Sequence, residues 1–191
     1  MPSNNNQYPE ISKLSPGAMF QGVQKSGKNT YDVSVEVVAV DMKESNLCGY
    51  LTIKGLTTDW PNLVTFFEAE VIGDKYLFNT RKWNADYLID KQHWSMFPAF
   101  KEFSHLLDNE DQNYDFTNSD YLFMRWKERF LVPDHKIKNI SGASFAGFYY
   151  IVFQKSTGCI SGLYYHSNSE MFQQLSLNHV DRHCFSAYAF R

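Results

Sequence analysis

One carboxylate on the apolar face of a predicted strand is the strongest candidate for chemistry in this sequence. Side chains alternate between the two faces of a strand, so the even-numbered residues from Tyr121 to Phe130 share one face. That face is apolar except for Glu128. The opposite face, which we expect to be solvated, ends in three cations: Arg125, Lys127 and Arg129. An ionised carboxylate among apolar side chains is costly unless it is paired, so Glu128 predicts a cationic ligand.

Two structural alternatives remain open for Glu128, namely an internal salt bridge or a β-bulge that turns the side chain outward. Other features favour a binding site. Tyr149 and Tyr164 place hydroxyl groups on neighbouring predicted strands. Apolar walls are available from Leu51, Ile53, Leu63 and Phe145. Together these residues predict a pocket for a ligand with an ammonium head and a small hydrophobic body.

Other kinds of chemistry have weaker support. His179, His183 and Cys184 lie close together, but no second ligand pair such as Cys-x-x-Cys accompanies them, so we expect neither a metal nor a cofactor. The sequence contains no Gly-x-Ser-x-Gly motif and no glycine-rich phosphate loop. An acid–base site that combines Glu128 with Asp134 and His135 stays open as an alternative.

Composition narrows the class of protein. The chain has 191 residues, 17% of them aromatic, which fits one domain with a substantial core. Its net charge of -3 gives no reason to expect nucleic-acid binding. Three widely spaced cysteines predict a reducing compartment. The sequence shows no signal-peptide pattern and no apolar run long enough for a transmembrane segment. We expect a cytoplasmic protein, with the nucleus left open as a second location.

The pattern of apolar residues predicts which elements position these side chains. Residues 1–18 are polar and typical of a flexible arm, and residues 19–191 are expected to form the domain. A helical period with charged residues between the aromatic ones predicts a helix over Asp90–Leu107, kinked or delayed by Pro98. Alternation predicts strands over Tyr31–Val40, Leu47–Ile53, Leu63–Ile72, Tyr76–Lys82, Tyr121–Val132, Ser144–Gln154 and Ile160–His166.

The remaining segments complete the prediction. Asp108–Asp120 is expected to be a surface loop, Ser169–Leu175 a helical turn and Phe185–Arg191 a strand-like tail. Many strands around one helical insertion favour a mainly β fold, a single antiparallel β-barrel of about eight strands that is lipocalin-like. A barrel of that size is wide enough to enclose one small ligand.

Longer blocks of sequence carry a resemblance. From Phe20 to Arg191 the chain resembles the vacuolar import and degradation family, the substrate receptors of the GID (in animals CTLH) ubiquitin ligase. The blocks that carry the resemblance are Gln24–Ser26, Leu47–Leu51, Lys54–Thr57, Thr65–Glu68, Thr80–Trp83, Phe123–Glu128 and Ile140–Tyr150. The resemblance implies an antiparallel β-barrel whose mouth binds proteins that begin with proline, a signal called the Pro/N-degron.

The resemblance also implies roles for residues. Glu128 and Tyr149 are expected to hold the amine of the N-terminal proline. The hydrophobic pocket for its ring is expected to consist of Val33, Leu51, Ile53, Leu56 and Leu63, with Phe145 and Tyr164. Four residues match positions that contact the peptide backbone after the proline: Gln24, Gly142, Ser144 and Gln173.

The tail has an expected partner of its own. By resemblance, Tyr188, Phe190 and Arg191 dock into an armadillo-type scaffold subunit of the ligase; the structural alternative is a final barrel strand. The chain is then a non-catalytic receptor whose clients, gluconeogenic enzymes in fungi, are ubiquitinated and degraded by the proteasome. The other function left open is a lipocalin-like barrel that binds or transforms a small amine or hydrophobic ligand.

Overall fold

Eight antiparallel strands close into a barrel in simple chain order. The computed structural model describes residues 13–169 and 172–181. Each strand pairs with the next, and the last returns to the first. The strands are β1 (Met19–Ser26), β2 (Asn29–Asp41), β3 (Asn46–Lys54), β4 (Asn62–Val71), β5 (Tyr121–Leu131), β6 (Phe148–Gln154), β7 (Cys159–Tyr165) and β8 (Gln173–Val180). The predicted mainly β fold, a single antiparallel barrel of about eight strands with helical insertions, is confirmed.

Strict alternation fills the interior of the barrel. In β4 every second residue from Leu63 to Val71 is buried, and β3 follows the same pattern from Leu47 to Ile53. Because the side-chain period of a strand is two, one row of each strand faces inward. These rows form one continuous apolar core that includes Phe67, Trp126 and Ile151.

A helical insertion between β4 and β5 covers the outside of one half of the barrel. It contains α1 (Tyr87–Trp94), α2 (His105–Asp108) and two short 3-10 helices (Pro98–Phe103 and Phe116–Asn118). Its aromatic side chains pack against the outer rows of β5 to β7 and form a second core. None of the helices in the described ranges is long and apolar enough to cross a membrane.

A buried carboxylate ties the insertion to the barrel. Asp90 of α1 accepts hydrogen bonds from the backbone N–H (2.7 Å) and the hydroxyl (2.5 Å) of Thr80. It also accepts one from the hydroxyl of Tyr150 on β6 at 2.7 Å. Burial raises the pKa of Asp90, and these hydrogen bonds act in the opposite direction. Strand β6 is therefore buried on both faces.

This second core overturns one expectation about β5. The face with Arg125 was predicted to be solvated, but Arg125 is only 2% exposed because the insertion lies over it. Its Nε donates to Glu70 Oε2 at 3.0 Å, and its guanidinium also donates to the carbonyl oxygen of Leu77 at 2.8 Å. Only Arg129, at the far end of this row, is exposed among the three cations.

Several element boundaries differ from the prediction. The predicted helix over Asp90–Leu107 is broken, because α1 ends at Trp94 and Pro98 starts a separate 3-10 helix. Tyr76–Lys82 forms only isolated bridges rather than a strand. The predicted turn Ser169–Leu175 instead contains the start of β8, and β6 begins at Phe148 rather than Ser144. The predicted tail strand Phe185–Arg191 lies outside the described residues.

The N-terminal side of the barrel adds two further findings. Strand β1 was not predicted, yet it closes the barrel between β2 and β8. Of the expected arm over residues 1–18, the structure describes the part from Lys13 onward. Leu14 in this part is 1% exposed within the barrel core, and the backbone N–H of Gly17 donates to the carbonyl oxygen of Val37 at 2.7 Å.

Candidate functional site

One end of the barrel, the mouth, is formed by four connections: β1–β2, β3–β4, β5–β6 and β7–β8. Glu128 lies on β5 close to the mouth and faces inward, with only 5% of the residue exposed. A bulge follows it, because Phe67 pairs with Glu128 whereas Phe66 pairs with Phe130. Arg129 is the additional residue. A bulge was one alternative for Glu128, but this bulge leaves the carboxylate inside.

The bulge changes the face of the residues that follow. Phe130 was predicted to share the apolar inner face with Glu128, but it lies on the outside and stacks on Phe66, with ring centroids 5.0 Å apart. Leu131 returns to the interior and is buried. Bulges commonly redirect side chains beside functional sites.

Glu128 has one hydrogen-bond donor and no ion pair within the described part of the chain. The hydroxyl of Thr65 donates to its Oε2 at 2.5 Å. Arg125 pairs with Glu70 instead. The ammonium of Lys127 donates to the carbonyl oxygens of Ala146 (2.6 Å) and Gly147 (2.8 Å). The internal salt bridge considered from the sequence is therefore not formed among these residues.

The isolation of Glu128 changes its acidity. Burial raises the pKa of Glu128 from 4.5 to about 7, while the hydrogen bond from Thr65 and the charge of Lys127 act in the opposite direction. A buried carboxylate without a cation favours its neutral form. A ligand that brings a positive charge to Glu128 would restore the ionised form.

Tyr149 presents the second polar group at this end of the barrel. It lies on β6 next to Glu128's strand, and its hydroxyl donates to Gln24 Oε1 at 2.7 Å. Gln24 Nε2 in turn donates to Gln173 Oε1 at 3.4 Å. Burial raises the pKa of Tyr149 well above its usual value, and the nearby Glu128 charge adds to this effect. Tyr149 thus keeps its proton, directs it at Gln24, and retains lone pairs that can accept a hydrogen bond.

Tyr164 holds the β5–β6 connection against the mouth. Its ring lies 5.0 Å from that of Tyr149 on the adjacent strand. Its hydroxyl accepts from the backbone N–H of Gly147 at 2.9 Å and donates to the carbonyl oxygen of Ser144 at 3.2 Å. A Cβ at Gly147 would collide with the carbonyl oxygen of Tyr165 and lie 2.8 Å from the Tyr164 hydroxyl, so the close approach requires glycine. Burial raises the pKa of Tyr164 to about 12, so its hydroxyl stays neutral.

The predicted apolar residues divide into two groups. Val33, Leu51 and Ile53 belong to the barrel core. Leu63 and Phe145 form a smaller cluster with Leu131 beneath the mouth connections. Leu56 is half-buried and packs against both groups.

Register explains why residues far apart in sequence meet at one end. Val33 pairs with Ile53, which pairs with Leu63 on the next strand. Tyr149 pairs with Tyr164, which pairs with Gln173. Gln24 closes the ring through Tyr149. The predicted site residues on strands therefore surround the mouth, although their binding roles stay predictions.

Two predicted rim residues lie in the β5–β6 connection. Gly142 has a φ of +80°, a conformation that glycine adopts without strain, and a Cβ there would contact Thr57 of the β3–β4 connection at 3.5 Å. Ser144 contributes its carbonyl oxygen to Tyr164, while its hydroxyl accepts from the backbone N–H of Ala146 at 3.2 Å. A pocket of about 350 Å³ lies beside this connection, with Glu128, Ser144 and Phe145 among its lining residues.

Thr65 is the residue that sequence reasoning missed. It lies in the block Thr65–Glu68, and the resemblance implies no binding role for it. The signal was available, because Thr65 lies between Leu63 and Phe67 on the inward row of β4. A hydroxyl in an apolar row needs a partner. That partner is Glu128.

The other proposed chemistries do not gather at this site. Asp134 and His135 are exposed, and Asp134 accepts from the backbone N–H of Lys136 at 3.0 Å in its own turn. The His135 ring lies beside Phe130 on the outside of the barrel. No group of three or more His, Cys, Asp or Glu among residues 13–169 and 172–181 is placed to hold a metal ion. His183, Cys184 and the tail residues Tyr188, Phe190 and Arg191 lie outside the described residues.

Fold and site together define a small closed barrel with a buried carboxylate and a buried tyrosine at its mouth, and this carboxylate forms no ion pair within residues 13–169 and 172–181. A family model described as "Vacuolar import and degradation protein" matches residues 13–180. The chain belongs to this family.

Three curated relatives are similar over most of the chain. "Glucose-induced degradation protein 4 homolog" of Mus musculus is 54% identical over 98% of this chain and 88% of its own length. "GID complex substrate-recognition subunit 4" of Schizosaccharomyces pombe is 36% identical over 94% of the chain and 98% of its own length. The subunit of the same name from Saccharomyces cerevisiae is 32% identical, and the match covers 86% of this chain and 61% of that protein.

Proposed function

We propose that this protein is a substrate receptor of a GID-type ubiquitin ligase and that its mouth binds the N-terminal proline of client proteins. The observation that carries this proposal is Glu128, a buried carboxylate with a single hydroxyl partner and no ion pair in the described ranges. Relatives named as substrate-recognition subunits of the GID complex support the class of function.

The chemistry of the ligand fits the two polar groups. A protonated N-terminal proline is a secondary ammonium with two N–H donors. Glu128 supplies one acceptor, through a charge-assisted hydrogen bond in a desolvated setting. Tyr149 supplies the other, because its own proton is donated to Gln24. The ligand therefore needs one positive charge and two donors at its head.

The apolar and rim residues complete the proposed contacts. The pyrrolidine ring is expected to occupy the space bounded by Val33, Leu51, Ile53, Leu56 and Leu63, with Phe145 and Tyr164. The peptide backbone leaves past Gln24, Gly142, Ser144 and Gln173. Since few residues are engaged and an extended chain must be ordered, we expect micromolar affinity.

The proposal extends to assembly with the other subunits of the ligase and to the degradation of bound clients. The chain carries no chemistry of its own: it passes clients to catalytic subunits of the ligase for ubiquitination and proteasomal degradation. The tail residues Tyr188, Phe190 and Arg191 bind an armadillo-type scaffold subunit. Gluconeogenic enzymes are the expected clients, and the cytoplasm is the expected location.

Peptide binding tests the proposal. Isothermal titration with a peptide that begins Pro-Gly, the same peptide with an acetylated terminus, and Glu128→Gln protein separates charge recognition from shape. Acetylation or Glu128→Gln should each weaken binding by about tenfold or more, because either change leaves a buried polar group unpaired. Glu36→Gln on the exposed face of β2 is the matched control and should bind normally.

Two results would contradict the proposal. Equal binding of the free and acetylated peptides would show that the amine is not the group recognised. Binding or turnover of small amines by a protein that ignores both peptides would instead favour the lipocalin-like alternative.

A further inference from the structure

Thr65 occupies a buried core position at which an apolar side chain would be expected from packing. It lies on the inward row of β4 between Leu63 and Phe67 and is 1% exposed. Valine has the same shape without the hydroxyl, and a buried hydroxyl costs free energy unless it is hydrogen-bonded. The hydroxyl of Thr65 donates to Glu128 Oε2 at 2.5 Å. Its presence is therefore explained by the carboxylate rather than by the core.

The pairing of β4 with β5 places the two side chains within reach of each other. In the register of β4 and β5, Thr65 pairs with Leu131 and Phe67 pairs with Glu128, so the hydroxyl and the carboxylate meet on a diagonal. Threonine is branched at Cβ and has few χ1 states, which holds the hydroxyl in one direction. The Oε2 atom of Glu128 is therefore directed at Thr65.

The other oxygen of the carboxylate is left for a ligand. Glu128 Oε1 accepts no hydrogen bond from the residues that the structure describes. The titratable groups around Glu128 are Tyr149 from β6, Tyr164 from β7, and Lys127 on its own strand. Both tyrosines keep their protons because burial raises their pKa values, and Lys127 donates to two carbonyl oxygens. Thr65 is thus the neutral group that stabilises the charged form of Glu128 by direct contact.

We propose that Thr65 is a positioning residue of the binding site, which orients Glu128 and favours its ionised form without contacting the ligand. This inference rests on the proposed function, since it assigns Thr65 a role in amine recognition. Removing the hydroxyl leaves the carboxylate in place but less often ionised and free to rotate. An ammonium ligand then binds more weakly, because part of its binding free energy is used to deprotonate and orient Glu128.

The test compares three single variants with the parent protein. Thr65→Val removes only the hydroxyl, Thr65→Ser retains it, and Thr52→Val makes the same change on the outer face of β3. Affinity for the Pro-Gly peptide is measured by titration calorimetry from about pH 6 to pH 8.5, which spans the range expected for Glu128 and the peptide amine. Thr65→Val should bind about tenfold more weakly near neutral pH, and its acidic limb should move to higher pH. Thr65→Ser and Thr52→Val should follow the parent.

A second measurement needs no ligand. Carbon NMR of glutamate-labelled protein, with the Glu128 signal identified by its loss in Glu128→Gln, reports the titration of this carboxyl directly. Thr65→Val should raise its midpoint. An unchanged midpoint, or equal loss of binding in Thr65→Val and Thr65→Ser, would overturn the positioning role. A parent protein that fails to bind the peptide would instead overturn the proposed function.

Discussion

The ionised form of Glu128 should lower the free energy of unfolding at neutral pH and above. Its pKa is raised from 4.5 to about 7 in the folded state, so between these values the folded protein holds a proton that the unfolded chain has released. The unfolding free energy is therefore highest below the lower value and falls as pH rises through the window. At about 1.4 kcal/mol per pH unit, the gap corresponds to roughly 3 kcal/mol lost above neutral pH.

Glu128→Gln removes this titration while keeping the shape of the side chain. Urea unfolding of the parent and the variant at about pH 5 and about pH 8 measures the effect. Relative to the parent, the variant should gain roughly 2–3 kcal/mol between the two conditions, because the parent alone must bury a charge at the higher pH. Glu36→Gln on the surface of β2 is the control and should follow the parent at both pH values.

Binding of the peptide should change this pH dependence of stability. A saturating Pro-Gly peptide should stabilise the parent more at about pH 8 than at about pH 5, since its ammonium offsets the buried charge. Parallel stability curves for parent and Glu128→Gln across this range would refute the reasoning, because they would mean that folding does not change the acidity of Glu128.

Three further predictions concern other parts of the site. Tyr149→Phe should weaken Pro-Gly binding about fivefold to tenfold in calorimetry, because it removes the second acceptor; unchanged affinity would exclude that role. Gly147→Ala should lower the thermal unfolding midpoint, because a Cβ there collides with the carbonyl oxygen of Tyr165 and the Tyr164 ring; an unchanged midpoint would mean that the connection shifts at no cost. Deleting Phe190 and Arg191 should abolish co-purification with ligase subunits and spare peptide binding, whereas loss of both activities would indicate a damaged barrel.

Alternation made much of the fold predictable. A period of two over β2 to β5 identified these strands and placed Glu128 on the inward row. The prediction failed where a neighbouring layer or a local irregularity decides the outcome. Arg125 is buried because an insertion from distant sequence covers it, and Phe130 faces outward because of one additional residue in β5. Neither the covering insertion nor the bulge can be inferred from the residues of β5 alone.

Strand alternation also made part of the candidate site predictable. Residues that share the mouth lie on all eight strands and on two connections, and closure of the barrel brings them together once the strands are known. The alternation of β4 shows that the Thr65 hydroxyl needs a partner, but identifying Glu128 as that partner requires the pairing register of β4 with β5, which the sequence alone does not give. The fold is confirmed, whereas the binding roles of these residues stay predictions.

The insertion leaves the wall of the barrel thick on one side and thin on the other. Glu128, Tyr149 and Tyr164 lie on β5 to β7, the strands that the insertion covers. Val33 and Ile53 lie on strands outside the second core. Amide protons of β6 should therefore exchange with solvent most slowly. We therefore expect any adjustment to ligands of different size to occur on the side of Val33 and Ile53, while Glu128, Tyr149 and Tyr164 keep their positions.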